Sequence, residues 1–259
     1  MTEQFKISTH GEGPELVLVH GWAMHSGIWG RVVDALAADF RVNLVDLPGH
    51  GINRRIALSR DLDAVATLIL SEVPAAAWLG WSLGGLVTLA AALKQPEKVE
   101  KLVLVGATPS FSRTENWEWG LGEAARQAFS DGLEHAFEQT VEQFALQTFG
   151  ANHLQESTGR LGEPPLTDNL PAKNTLHDGL HLLYSNNLSG DLSKCKMPTL
   201  FLGGTRDRTI RPESFDQAAS LMPDARVVSI PGAGHAPFIS HEEEFLHTIR
   251  GFLQDDHNA

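Results

Sequence analysis

Ser82 sits in Gly80-Trp81-Ser82-Leu83-Gly84, with Gly85 following. A serine hydroxyl is a weak nucleophile until a base takes its proton. Here an apolar strand pattern ends at Gly80 and an apolar helix pattern starts just after Ser82. That context predicts a sharp strand-to-helix turn holding Ser82 in a strained conformation, with glycine needed two residues before and after. A tight turn without chemistry would carry the same five residues. With twelve histidines in the chain, a lone histidine means little. His235 differs because it ends Pro231-Gly232-Ala233-Gly234-His235, a loop directly after an apolar strand, from which an imidazole can reach Ser82. Asp207 follows the strand ending Phe201-Leu202 through Gly203-Gly204-Thr205-Arg206. It can hold the imidazole in the tautomer that leaves Nε2 free, or pair instead with Arg206, Arg208 or Arg211. Two backbone N–H groups complete the set. Leu83 lies at a helix N-terminus, where N–H groups and the helix dipole favour an oxyanion, and Trp22 lies in the loop His20-Gly21-Trp22 after an early strand.

Other residues carry weaker signals. His20 is expected to shape its loop and Asp46, in Asp46-Leu47-Pro48-Gly49-His50-Gly51, to anchor a turn. His177-Asp178-Gly179-Leu180-His181 has the histidine spacing of a zinc helix but an Asp in place of Glu and a Gly inside, so no metal site is expected. Gly120-Leu121-Gly122 before Ala125 mimics a dinucleotide loop but follows no buried strand, so no cofactor is expected.

The elements that must position these residues alternate. Strand patterns fall at Phe5 to Ser8, Glu15 to Val19, Arg41 to Val45, Ala76 to Leu79, Lys101 to Val105, Met197 to Leu202 and Arg226 to Ile230. Helix patterns fall between them, with Ser59 as an N-cap before Leu62 and a Ser240/Glu243 capping box on the last helix. Nearly all-apolar strands alternating with helices imply an α/β fold, a mostly parallel sheet flanked by helices on both faces. Residues 110–190 break the rhythm with helical patterns (Phe129, Leu133, Phe137, Val141, Phe144) and no convincing strand. They read as a helical lid inserted into a core formed by 1–109 and 191–259.

The chain has 259 residues and a formal charge of −12, within reach of one large core. The acidic balance argues against nucleic acid as a partner, because phosphate neutralisation needs a surplus of Lys and Arg. Cys195 is the only cysteine, and the start shows no basic-then-apolar leader, so a soluble, cytoplasmic monomer is expected. Ala75 to Leu93 is uncharged and long enough to span a bilayer, but its central glycines and Ser82 favour a buried strand, turn and helix laid end to end, and no membrane association is expected.

The order Ser82, Asp207, His235, with His20-Gly21-Trp22 before and an insertion after the sixth strand, resembles the α/β-hydrolase fold over essentially the whole chain. Within that fold, Trp78–Val87 (WLGWSLGGLV), Val45–Gly49 (VDLPG) and His235–His241 (HAPFISH) look like the BioH family, the pimeloyl-[acyl-carrier protein] methyl ester esterases of biotin synthesis. Phe144–Thr148 (FALQT) is similar to that family's lid motif. The resemblance implies a triad of Ser82, Asp207 and His235, substrate contacts at Trp22, Leu83, Phe144 and Gln147, and an ester carried on an acyl-carrier protein. Family members dock that acidic carrier through lid arginines. Here residues 110–190 hold eleven acidic and four basic residues (Arg113, Arg126, Arg160 and Lys173), a net of −7 that opposes such docking overall and leaves to it a local cluster, or Arg54 and Arg55 outside the lid. Three readings therefore stand: a carrier-ester esterase, a carboxylesterase for small free short-chain esters, and a ligand-binding or receptor protein on a hydrolase scaffold.

Overall fold

The computed structural model describes residues 3–150 and 170–255. Its strands are β1 (Ile7–His10), β2 (Glu15–Val19), β3 (Arg41–Val45), β4 (Ala76–Trp81), β5 (Val99–Val105), β6 (Thr199–Gly204) and β7 (Ala225–Ile230). They form one sheet in the order β1-β3-β2-β4-β5-β6-β7, antiparallel only between β1 and β3. The helices are α1 (Arg31–Leu36), α2 (Leu62–Glu72), α3 (Leu83–Lys94), α4 (Glu123–His135), α5 (Phe137–Phe149), α6 (Lys173–Ser185), α7 (Glu213–Ser220), α8 (Pro237–Ser240) and α9 (Glu242–Gln254).

β4 is buried at all six positions, as a central parallel strand covered on both faces must be. The register pairs Val19 with Gly80, Trp81 with Val105, Val105 with Leu202 and Gly204 with Ile230. The strands therefore end level, and the segments after β2, β4, β5, β6 and β7 emerge along one edge of the sheet. The uncharged run from Ala75 to Leu93 divides into β4, the Ser82 turn and most of α3. Among the described residues no helix is long and apolar enough to cross a membrane.

Several boundaries differ from expectation. The helical insertion follows the fifth strand, not the sixth, because a single antiparallel strand precedes the parallel set. The first strand lies two residues later than its apolar pattern, at Ile7–His10, where its partners on β3 are available. Asp61, not Ser59, caps α2, its carboxylate accepting from the N–H groups of Asp63 and Ala64; Ser59 Oγ supports the cap by accepting from Asp61 N. The Ser240/Glu243 capping box does not form, because Ser240 closes the separate turn α8 and its Oγ meets His241 Nδ1 at 2.9 Å. The continuous pattern from Phe129 to Phe144 breaks at Ala136 (φ −142°, ψ 53°) into α4 and α5. Arg160, expected on the lid, lies outside the described residues.

Candidate active site

Ser82 joins β4 to α3 at φ 54° and ψ −116°, a conformation non-glycine residues rarely adopt. The packing enforces it. Ser82 N–H donates to Val105 O at 2.9 Å, tying the turn to the neighbouring strand. A Cβ on Gly80 would come within 2.4 Å of Gly84 O, and one on Gly84 within 2.2 Å of Val19 O. Both flanking glycines are thus required by backbone contact between the turn, the helix and β2. Ser82 itself is 4% exposed.

His235 Nε2 lies 3.0 Å from Ser82 Oγ, and His235 Nδ1 lies 2.8 Å from Asp207 Oδ2. A carboxylate can only accept, so Nδ1 carries the proton and the Nε2 lone pair faces the hydroxyl. Asp207 is fixed through its other oxygen, which accepts from Thr209 N at 2.8 Å and Ile210 N at 2.9 Å. It pairs with the imidazole and not with the adjacent arginines. The histidine loop is held from below: Trp81 Nε1–H donates to His235 O at 2.9 Å, and Arg206 N–H donates to Ala233 O at 2.9 Å. The indole of Trp81 is a contributor that the sequence pattern did not single out, since it occupies a variable position of the Gly-x-Ser-x-Gly motif.

The loop His20-Gly21-Trp22 lies against the serine. A Cβ on Gly21 would stand 3.2 Å from Ser82 Cβ. His20 orients this loop: its Nε2 accepts from Leu47 N at 3.0 Å, leaving Nδ1–H to donate to Gly21 O at 2.8 Å. Because a trans peptide sends its C=O and N–H in opposite directions, the Trp22 N–H leaves the far edge of that peptide. Leu83 N–H belongs to the first turn of α3, which has no carbonyl one turn earlier to accept it. Burial, reinforced by His50, lowers His20 to about 3, which keeps it neutral and its two-sided bonding intact. Burial likewise lowers His50 to about 4, while its Nδ1 bonds Pro48 O. Asp46 anchors the turn as expected. Burial alone would raise its carboxyl, but His20 and the N–H groups of Ser26 and Ile52 outweigh burial and hold it below the usual range. Asn53 closes the same corner, donating to Asp46 O at 2.7 Å and Lys6 O at 2.9 Å.

Helices between β5 and β6 cover this group. Trp22 is 1% exposed; its Nε1–H donates to Leu176 O of α6 at 2.9 Å. Its ring meets the edges of Phe144 and Phe129 at centroid distances of 4.9 and 5.4 Å. Gly179 allows this approach, since a Cβ there would stand 2.8 Å from Trp22 Cδ1. The segment with zinc-like spacing is thereby accounted for: His177 meets Glu134 at 3.1 Å, Asp178 pairs with Arg60 at 2.6 Å, His181 meets Ser185 Oγ at 3.3 Å, and Gly179 seats the indole. Of the expected substrate contacts, Trp22, Leu83 and Phe144 are brought together; Gln147 lies at an exposed position of α5, outside that cluster.

Residues 16–248 match the model of the alpha/beta hydrolase family. The chain is 39% identical to the pimeloyl-[acyl-carrier protein] methyl ester esterase of Nitrosomonas europaea, over 93% of this chain and 96% of that protein. It is also 39% identical to the protein of the same name in Stenotrophomonas maltophilia, with 95% of each covered. Among solved structures, a bromoperoxidase from Bacillus anthracis superposes with a TM-score of 0.86 at 24% identity, covering 96% of this chain and 95% of that one, a likeness of fold. With a family match running from β2 to β7 through the serine turn, and relatives matching nearly end to end, the chain belongs to the alpha/beta hydrolase family and, within it, to the pimeloyl-[acyl-carrier protein] methyl ester esterase family.

Proposed function

We propose that the chain is a serine carboxylesterase that hydrolyses the methyl ester of pimeloyl-[acyl-carrier protein] in biotin synthesis. The observation that carries the chemistry is the aligned set Ser82 Oγ, His235 imidazole and Asp207 carboxylate, at 3.0 and 2.8 Å, on a strained turn. Ser82 Oγ attacks the ester carbonyl as His235 Nε2 takes its proton, and Asp207 stabilises the imidazolium that forms. The carbonyl oxygen, now negative, is received by the Trp22 and Leu83 N–H groups. His235 then returns the proton to the departing methoxide, releasing methanol and leaving an acyl-enzyme on Ser82. Water, deprotonated by the same imidazole, cleaves that acyl-enzyme and regenerates the serine.

The substrate assignment rests on the names of the relatives. α4, α5 and α6 act as the lid over the acyl chain, with Trp22, Phe129 and Phe144 as its apolar wall. A monomer in the cytoplasm suits a chain whose only cysteine, Cys195, is buried and has its thiol pushed up to about 11 by that burial. One observation favours the small-ester reading: the net −7 of residues 110–190. Expression in a biotin-requiring strain that lacks this esterase separates the two. Restored growth without biotin is the expected result; no growth despite soluble protein with esterase activity selects the small-ester reading.

A further inference from the structure

The loop after β6 carries Arg206, Arg208 and Arg211, three cations in six residues of a chain with a charge of −12. All three are exposed, and among the described residues none forms an ion pair. The three described cations of the helical segment are engaged by contrast. Lys173 pairs with Glu134 at 3.0 Å, Arg113 Nε donates to Glu118 O at 3.1 Å, and Arg126 lies against the Tyr184 ring at 5.8 Å. Arg60, at the core's margin, is neutralised by Asp178. Between Arg206 and Arg208 stands Asp207, bonded to His235 and not to either guanidinium, so the six residues keep a surplus of positive charge.

The loop is also rigid and well placed. Asp207 Oδ1 holds the N–H groups of Thr209 and Ile210, and Ile210 is buried as an anchor. Arg206 and Arg208 are two residues apart and cannot be separated by more than about 7 Å between Cα atoms. The carboxylate between them lies one imidazole away from Ser82. An anion bound here stands beside the loop that holds the carboxylate partner of His235.

The geometry points to Arg206, Arg208 and Arg211 as the docking surface for the substrate's acidic carrier protein. This inference rests on the carrier-ester reading above and deepens it. A carrier presents its acyl chain on an arm with an anionic phosphodiester, above an acidic protein surface. The unpaired arginines supply the complementary field, while the net −7 of residues 110–190 disfavours the same partner on the helical segment.

The test compares two substrates, the carrier-bound pimeloyl methyl ester and a p-nitrophenyl ester with no carrier. In Arg208→Glu/Arg211→Glu, kcat/KM for the carrier ester falls at least about tenfold while the p-nitrophenyl ester stays within about twofold. The wild-type rate on the carrier ester drops with added NaCl, and the variant loses that salt dependence. Reversing Arg113 and Lys173 leaves the ratio of the two substrates unchanged. If the double variant also loses the p-nitrophenyl ester, Arg211→Glu alone, outside the Asp207 turn, decides by the same ratio. An unchanged ratio on reversing the loop, or a changed one on reversing the lid pair, overturns the docking surface and leaves the esterase reading standing. A wild-type chain that does not turn over the carrier ester overturns both.

Discussion

Ser82 is where chemistry and backbone strain coincide. A serine at φ 54° and ψ −116° costs roughly 1–3 kcal/mol, and the turn persists because Gly80, Gly84 and the bond to Val105 leave no other path. Replacing Ser82 with glycine should relieve that cost, less the roughly 0.5–1 kcal/mol by which glycine favours the unfolded chain. Ser82→Gly is therefore expected to abolish activity and raise Tm by about 2–4 °C in a thermal melt; a lower Tm would mean that the turn is not strained. The triad residues were legible because each directly follows an apolar strand, and a parallel sheet brings such ends to one edge. The partners that hold them were not. Trp81 bonding the His235 carbonyl, and His20 bridging Leu47 and Gly21, are contacts between segments far apart in sequence, with no periodicity to announce them. Gln147 shows the complement, a residue matched to a motif that packing leaves outside the cluster.

Among the elements, α6 has the most direct hold on the site. It bonds the Trp22 indole through Leu176 O and presents Gly179 where a methyl group would press on Trp22 Cδ1 at 2.8 Å. The indole cannot yield easily, since Phe129 and Phe144 stand against it. A glycine inside a helix normally gains about 1 kcal/mol on replacement by alanine. Gly179→Ala is expected to do the opposite, lowering Tm and reducing kcat about tenfold or more as the Trp22 N–H shifts. A stabilised variant with full kcat would show that α6 does not position this loop. The same helix explains a limit of sequence pattern. Its His-x-x-x-His spacing resembled a metal site, and only tertiary contacts with Glu134, Arg60 and Trp22 reveal why those residues stand there. Helix ends moved for local reasons, as where Asp61 captured the N–H groups that Ser59 was expected to cap.

At the scale of the molecule, the sheet's level strand ends gather five segments into one site, and the charge distribution decides what reaches it. Alternating apolar strands and helices made the core legible, and the insertion was legible as a break in that rhythm. Its place after the fifth strand was countable from those patterns; the sixth came with the resemblance, and the sheet has only one antiparallel strand before its parallel set. Net charge gave a sign but not an address: residues 110–190 are acidic, while three exposed arginines stand together on the Asp207 loop. The proposed chemistry is hydrolysis through Ser82. The most direct measurement is methanol released from carrier-bound pimeloyl methyl ester by wild type and by Ser82→Ala. The wild type should release many equivalents per chain, and Ser82→Ala, still folded, should be slower by about 10⁴-fold or more. A Ser82→Ala rate within tenfold of wild type would contradict the account.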